Sequence, residues 1–463
     1  MKFIIKKNFA KLFYFFIFFS FIFQSEILVQ DTYSYIENLY KRPFLYPFII
    51  NVFQIVSENS YLKLLSVFQL ILGYISIVYF SFFFIKKFEI RNVFYQIILI
   101  FTVAYPYLGI SMKLGLTIFS ESIGYPLILI FSVFFIKNYF FIQKVKKKKH
   151  FFYLMFLIIL MVLNKKTFLI LMPLIFLAEL NKLLLNKEFF SFIKNIFLII
   201  GVLVFVNIAE KTNTYLKVGV FKSISVGGPS LLTAPFYLAS EDDLKKIVGP
   251  KNKEIVQIAI EDFNKNNIEK NLIDKSNNNI LAFAKHNRKI FSHYYSQFVY
   301  MQDFFENKIA KNEIFGIYEK NELLAKELSS KHCTQIAIQL FKMRPMENII
   351  FYITNVMYGM GGYFISRDDL KGFYANVGFG GFYILVLQVI VLIICLISII
   401  KKSDYKKKNI SYIILFFLIL NLINCFATAL FQPVYDRFTF FTFQMVYFSI
   451  SLIFVLFFDK NKV

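Results

Sequence analysis

Asp31 stands just past a long apolar run, in Gln30-Asp31-Thr32-Tyr33-Ser34-Tyr35-Ile36-Glu37, and Lys41-Arg42-Pro43-Phe44-Leu45-Tyr46-Pro47 follows in the same loop. A carboxylate within a turn of a transmembrane helix end is ionised yet partly desolvated. That suits a general base drawing a proton from an acceptor hydroxyl. Arg42 brings a forked pair of donors that grips phosphate. Pro43 and Pro47 fix the backbone and break the loop into short interfacial segments. Tyr33, Tyr35, Tyr40 and Tyr46 suit headgroup depth or stacking on a sugar ring. The same residues also fit an ordinary polar loop with snorkelling charges.

Further ionisable residues fall inside apolar runs, where they are costly unless functional or close to water. Glu121 follows Ser120 about one turn inside a helix end; it is either a functional acid or simply the ion-pair partner of Lys113 in the same turn. Glu26 is one turn from the outer surface. Glu179 sits at a helix end beside Lys182 and reads as structural. Asp436-Arg437 opens the last apolar run, and Arg437 is the sole Lys or Arg between Lys408 and Lys460. His286 and His293 are two helical turns apart with no Cys or third His nearby, so a zinc site is not expected. Gly227-Gly228-Pro229-Ser230 and Gly359-Met360-Gly361-Gly362 lack the Lys-Ser/Thr of a phosphate loop and read as turns and hinges. Cys395 and Cys425 read as small buried residues and Cys333 has no evident partner, so no disulfide framework is expected.

These residues have to be positioned by elements that composition already restricts. The chain has 463 residues, of which 57% are hydrophobic and only 17% charged, with 63 Phe, 29 Tyr and no Trp. Soluble proteins carry about 25% charge, and apolar runs of helix-spanning length recur here without the alternation of barrel strands. The composition excludes a soluble enzyme, a disordered tail and a secreted disulfide scaffold. It predicts an all-α polytopic membrane protein. The net charge of +23 is spread as short clusters between apolar runs. The most polar region, Glu241 to His332, holds 15 Lys/Arg against 14 Asp/Glu, so nucleic acid is not an expected partner.

Ten spans are expected, at about Leu12–Val29, Leu62–Ile85, Val93–Ile110, Leu116–Ile136, Phe151–Leu163, Phe168–Leu180, Phe192–Ala209, Phe382–Ile400, Ile410–Phe431 and Phe438–Phe457. No small-residue cleavage site ends the first run, so it reads as an uncleaved helix rather than a signal peptide. With alternating orientations, the cytoplasmic segments hold 23 Lys/Arg and the short external loops hold six. That is the asymmetry the positive-inside rule requires, with the run Lys146 to Lys149 as a topology determinant. Both termini then lie in the cytoplasm. The fifth and sixth spans are short and separated only by Asn164-Lys165-Lys166, which suggests a tight pair that does not fully cross. The organisation is an N-terminal membrane module over 1–209 with its first external loop at 30–60, an external, mostly helical segment over 210–379, and a C-terminal module over 380–463. Helical stretches within that segment are expected at Asn312–Ala337 and Glu347–Met357.

A first membrane helix, an aspartate at its outer end, nearby Tyr residues and Arg42-Pro43-x-x-Tyr46-Pro47 resemble the glycosyltransferase C (GT-C) superfamily. The nearest branch is the bacterial mannosyl- and aminoarabinose-transferase-like membrane proteins. Ser120-Glu121, Asn164-Lys165-Lys166 and Tyr435-Asp436-Arg437 add partial similarities, and the layout of about seven helices, an external segment and a smaller helix set also matches. The resemblance implies transfer of a sugar from a polyprenyl-phosphate donor to an extracytoplasmic lipid, glycan or protein acceptor, in the bacterial inner membrane. Asp31 would be the base of an inverting attack, and Arg42, Lys165, Lys166 and Arg437 would hold the leaving phosphate. Tyr33, Tyr35 and Tyr46 would contact sugar. Relatives often carry Arg where this chain has the Lys165-Lys166 pair. Many show a second loop acid, for which Glu37, Glu26 and Glu121 are candidates here; no cofactor is expected, and with the second acid unassigned a divalent metal is open but unsupported. Two other classes fit the composition: a polysaccharide polymerase or ligase, which usually relies on external arginines, and a transporter or flippase, which usually shows two similar halves. Between Glu210 and Phe379 only Arg288, Arg344 and Arg367 occur, and no internal repeat is visible.

Overall fold

The computed structural model describes residues 2–37, 42–108, 113–140, 147–186, 189–222, 227–266, 268, 294, 296–316, 322–361, 377–400, 405–431 and 436–458. Among them the structure is all-α, with one isolated bridge, Ile27 to Thr117, and no strand. Five helical segments are long and apolar enough to cross a membrane: Tyr61–Lys87, Glu121–Tyr139, Lys166–Leu184, Phe189–Lys217 and Ile410–Leu430. They coincide with the second, fourth, sixth, seventh and ninth expected spans. Shorter apolar helices occupy the other five, at Ala10–Phe21, Val93–Leu108, His150–Asn164, Val386–Ile397 and Gln444–Leu456. This is the helical architecture of a polytopic membrane protein.

The chain forms two compact units. The first comprises Met1–Ser223, Gln388–Asn421 and Phe440–Val463. Its helices are α1 (Lys2–Phe21), α2 (Gln30–Ile36), α3 (Leu45–Val56), α4 (Tyr61–Lys87), α5 (Val93–Leu108), α6 (Glu121–Tyr139), α7 (Lys147–Asn164), α8 (Leu171–Asn186, entered through a 3₁₀ turn at Lys166–Ile170) and α9 (Phe189–Val218). Parts of the C-terminal helices complete it. Phenylalanine supplies much of its core: Phe80 and Phe84 meet Phe448 with ring centroids 4.8 and 4.9 Å apart, and Phe135 stacks on Phe416 at 4.4 Å. Each such pair adds about 0.5–1.5 kcal/mol beyond its buried area.

Several boundaries differ from the sequence expectation, among them the seventh span, which runs to Val218 instead of Ala209. The first helix stops at Phe21 instead of Val29, and residues 22–29 turn and extend so that Ile27 exchanges backbone hydrogen bonds with Leu116 and Ile118 (2.9 and 3.0 Å). The fourth span starts at Glu121, not Leu116, because Lys113 adopts a left-handed φ of 42° and Leu114–Phe119 is spent on the turn and that bridge. The sixth continues to Asn186, so that Lys166–Leu184 is long and apolar enough to cross a membrane. The stretch read as the first external loop holds two helices, α2 and the apolar α3.

The second unit comprises Ile224–Leu387 and Leu422–Thr439. It contains α10 (Gly227–Leu238), α11 (Glu241–Lys245), α12 (Pro250–Lys265), a helical run through 296–311 that widens into π turns over Phe304–Lys308, α13 (Glu322–Met343) and α14 (Pro345–Gly361), and the C-terminal helices that follow in the chain are α15 (Val377–Ile400), α16 (Tyr405–Phe431) and α17 (Asp436–Phe458). The start expected at Asn312 is thus ten residues early, because a 3₁₀ turn at Glu313–Phe315 intervenes. The core gathers Phe236, Phe263, Phe304, Phe305, Tyr237 and Tyr294, all buried. Gly227-Gly228 is no hinge: it forms the first turn of α10, and a Cβ on Gly228 would stand 1.9 Å from the Ser330 carbonyl oxygen of α13. Only glycine lets these two backbones approach so closely. Cys333 lies in the same core, where burial pushes its thiol up to about 12, so it is an inert packing residue.

Ser240 caps α11 reciprocally with Asp243, each accepting from the other's backbone N–H at 3.2 and 2.9 Å. Arg344 Nε donates to Asp243 Oδ2 at 2.5 Å. Burial raises the Asp243 carboxyl, but the Ser240 hydroxyl and amide and the Arg344 guanidinium outweigh it and hold it below the usual carboxylate range. The stability these bonds supply is therefore complete above the unfolded value of about 3.9 and is lost as pH falls through the folded value. Thermal melts are expected to show Asp243→Asn less stable than wild type at pH 7, with the gap closing below about pH 4. A gap that stays constant down to pH 3 would contradict this account.

Candidate functional site

One end of the first unit brings together three segments that the sequence singles out separately. Val29 closes the entry to α2 by donating its N–H to Thr32 Oγ1 (2.9 Å), and Thr32 Oγ1 donates onward to the Ile118 carbonyl (2.8 Å). This pins α2 against the chain just before α6. Tyr35, one turn later and buried, shares a hydrogen bond with Ser120 Oγ at 2.8 Å. Ser120 Oγ also lies 3.0 Å from Glu121 Oε2, and Lys165 Nζ binds Glu121 Oε1 at 2.7 Å. Asn164 Nδ2 donates to the Ser120 carbonyl at 2.8 Å, which joins the end of α7 to the start of α6.

Arg42 closes the other side. Its guanidinium lies over the Tyr35 ring, 4.5 Å from the centroid, while Nε donates to Ser34 Oγ at 2.7 Å. Its carbonyl faces Asn213 and Lys217 of α9 at 3.4 and 3.5 Å. The result is a continuous run, Arg42–Tyr35–Ser120–Glu121–Lys165, with a cation at each end and a carboxylate 1% exposed inside it. A buried carboxylate is tolerable only when paired and hydrogen-bonded, and both conditions are met.

A layer of buried aromatics supports the run. Tyr46 packs edge-on against Tyr35 (5.0 Å) and accepts from Gln69 Nε2 at 2.6 Å. The Tyr107 hydroxyl reaches the carbonyls of Gln69 and Ser122 at 2.9 and 2.5 Å. Gly73 permits this, since a Cβ there would stand 2.1 Å from the Tyr107 ring. Gln69 Oε1 and Asn164 Oδ1 are buried acceptors with no hydrogen-bond partner among the described residues. At each, an ordered water or a ligand hydroxyl would gain a bond.

The candidates distribute unevenly. Tyr35, Arg42, Glu121 and Lys165 are brought together, with Tyr46 directly behind. Glu121 pairs with Lys165, 44 residues away, and not with the sequence-near Lys113. Lys166 turns outward to an exposed pair with Glu210 of α9. Tyr33 is exposed, and so is Glu37, at the end of α2. Asp31 lies in the first turn of α2, and its side chain is outside the described residues, as is that of Arg437 at the start of the helix Asp436–Phe458. His286 and His293 also fall outside them. Among the described residues no three His, Cys, Asp or Glu gather where they would hold a metal ion. Glu179 is fully buried instead of reaching water, held by Tyr139 and Asn195 at 2.7 and 2.8 Å and by Lys182 at 3.5 Å.

Thr32, Ser34, Gln69 and Tyr107 are the contributors that sequence reasoning missed. Gln69 carried a signal, as an amide in the middle of an apolar helix; the others had none. A groove of about 710 Å³ between α7 and α9, lined by Phe152, Phe156, Phe197 and Phe205, is not formed by any residue of this cluster. No protein-family model, curated protein or solved structure matches the chain.

Proposed function

We propose that the protein is a membrane glycosyltransferase of the GT-C type, transferring a sugar from a polyprenyl-phosphate donor to an acceptor on the extracytoplasmic side of a bacterial inner membrane. The observation that carries this reading is the bonded run from Arg42 to Lys165. It unites the loop after the first helix, Ser120-Glu121 and Asn164-Lys165, three of the short motifs on which the resemblance rests. On the ten-span topology expected from the sequence, with the lysine-rich loops in the cytoplasm, this end of the unit would face outside.

In the proposed reaction the Asp31 carboxylate takes the proton of the acceptor hydroxyl as its oxygen attacks the anomeric carbon. The bond from that carbon to the phosphate oxygen breaks, and the polyprenyl phosphate leaves with the electron pair and inversion at the sugar. Arg42 and Lys165 stabilise the charge that develops on the departing phosphate. Glu121 acts as a positioning residue, since Lys165 compensates its charge. Arg437 and Lys166 are further candidates for the phosphate, and Tyr33 for the sugar.

The donor half of this reading is tested by ligand-induced stabilisation in nanodiscs. A polyprenyl phosphate at 100 times its Kd is expected to stabilise the wild type by about 2.7 kcal/mol. The uncharged polyprenol is expected to give no shift, and Arg42→Leu to lose most of the response to the phosphate. Equal shifts from phosphate and alcohol would overturn the assignment of Arg42.

A further inference from the structure

Helix α14 (Pro345–Gly361) falls in the stretch whose composition reads as an aqueous, external segment. Between Pro345 and Gly361 its one charged residue is Glu347. Its buried face meets the last turns of α16 (Tyr405–Phe431), a helix whose Ile410–Leu430 stretch is long and apolar enough to cross a membrane. The Tyr352 hydroxyl donates to the Phe426 carbonyl at 2.6 Å, and Asn355 Nδ2 to the Ala429 carbonyl at 3.2 Å. Val356 and Cys425 form a buried pair, with Tyr352, Met360, Leu422 and Ala429 packed around it. All of these residues belong to the second unit.

The partners on α16 fix the depth. At ~1.5 Å per residue, Phe426 lies about 6 Å and Leu422 about 12 Å inside Leu430, the last residue of the apolar stretch. Residues of α14 that touch them are therefore level with hydrocarbon and not with the water above it. On the opposite face Met346, Ile349, Ile353 and Met357 follow at intervals of three, four and four residues, which aligns them in one stripe. All four are exposed, Ile349 by 39% and Ile353 by 46%. A row of large apolar side chains at that depth matches acyl chains, as in helices that lie in the membrane interface.

We infer that α14 is embedded in the lipid leaflet around the C-terminal end of α16, with its Met346–Met357 stripe against acyl chains. The polar unit is thereby held to the bilayer by an additional lipid-facing helix that is not one of the ten expected spans. This placement stands independently of the proposed catalytic activity.

The test uses the full-length protein in nanodiscs with Ile349→Cys and Ile353→Cys, each labelled with an environment-sensitive fluorophore. Lys253→Cys on α12, an exposed polar position, is the aqueous control, and the unsubstituted protein, whose three cysteines are buried, gives the background. Melting curves establish that each labelled variant is folded. The expected result is blue-shifted emission at both stripe positions and quenching several-fold stronger by nitroxide-bearing phospholipids than by iodide, with the reverse order at position 253. Iodide quenching at 349 and 353 equal to that at 253 would overturn the inference. So would protection from both quenchers together with a disulfide-linked dimer of Ile353→Cys, which would mean that a second copy of the chain covers the stripe.

Discussion

Replacing Lys165 with alanine is expected to destabilise the first unit by roughly 3–5 kcal/mol, the cost of removing one member of a buried ion pair. Glu121 Oε1 loses its 2.7 Å partner, and the carboxylate, 1% exposed, cannot recover the interaction from water. Ser120 Oγ, at 3.0 Å, is already shared with Tyr35. The melting temperature in detergent or nanodiscs is expected to fall by on the order of 10 °C. Lys165→Arg keeps the charge and is expected to melt close to wild type. The double variant Lys165→Met with Glu121→Leu should cost far less than the sum of the single changes, since contacting residues are not additive. A Lys165→Ala protein that melts with the wild type would show that the pair is not a structural element of the site.

The largest expected effect on activity is at Asp31. A positioned general base contributes about 10²–10⁴ to a rate, so Asp31→Asn is expected to slow sugar transfer by roughly that factor. The substitution is isosteric and lies in the first turn of a seven-residue helix that Thr32 and Tyr35 hold in place, so insertion and melting are expected to be unchanged. Asp31→Asn is therefore read in the rate at constant fold, whereas Lys165→Ala, which also removes a proposed phosphate contact, is read in the melting curve and is expected to lower the rate as well.

Much of this arrangement was legible in the sequence. Lysine clusters and apolar runs locate ten helices, because a hydrocarbon core imposes length and hydropathy directly. Arg42, Ser120-Glu121 and Asn164-Lys165 were each visible as polar residues at helix ends, where a membrane helix has reason to place them. What stayed hidden depends on the course of the backbone. Lys113, eight residues before Glu121, is one partner that sequence proximity offers, but the left-handed turn at Lys113 and the bridge from Thr117 to Ile27 intervene. The short pairing of Ile27 with Leu116 and Ile118 ends the first helix early, and no periodicity signals so brief a contact. Nothing in the sequence marks Gly73 as the point where the Tyr107 ring approaches, and Gly228, read there as a turn or hinge, instead lets the Ser330 backbone close against α10. In α14 the apolar stripe was present in the sequence, but its meaning depends on the neighbouring α16, which is about 70 residues further along.

Cleavage of a sugar–phosphate bond is read without intermediaries as transfer of label. Purified wild type and Asp31→Asn, reconstituted side by side, would be incubated with membrane extract and a panel of radiolabelled polyprenyl-phosphate sugars. With the wild type one donor is expected to lose its label to an acceptor, and the aspartate variant is expected to be slower by about two orders of magnitude or more. Transfer at equal rates by both proteins, or no loss of label from any donor with folded wild type, would contradict the proposed reaction.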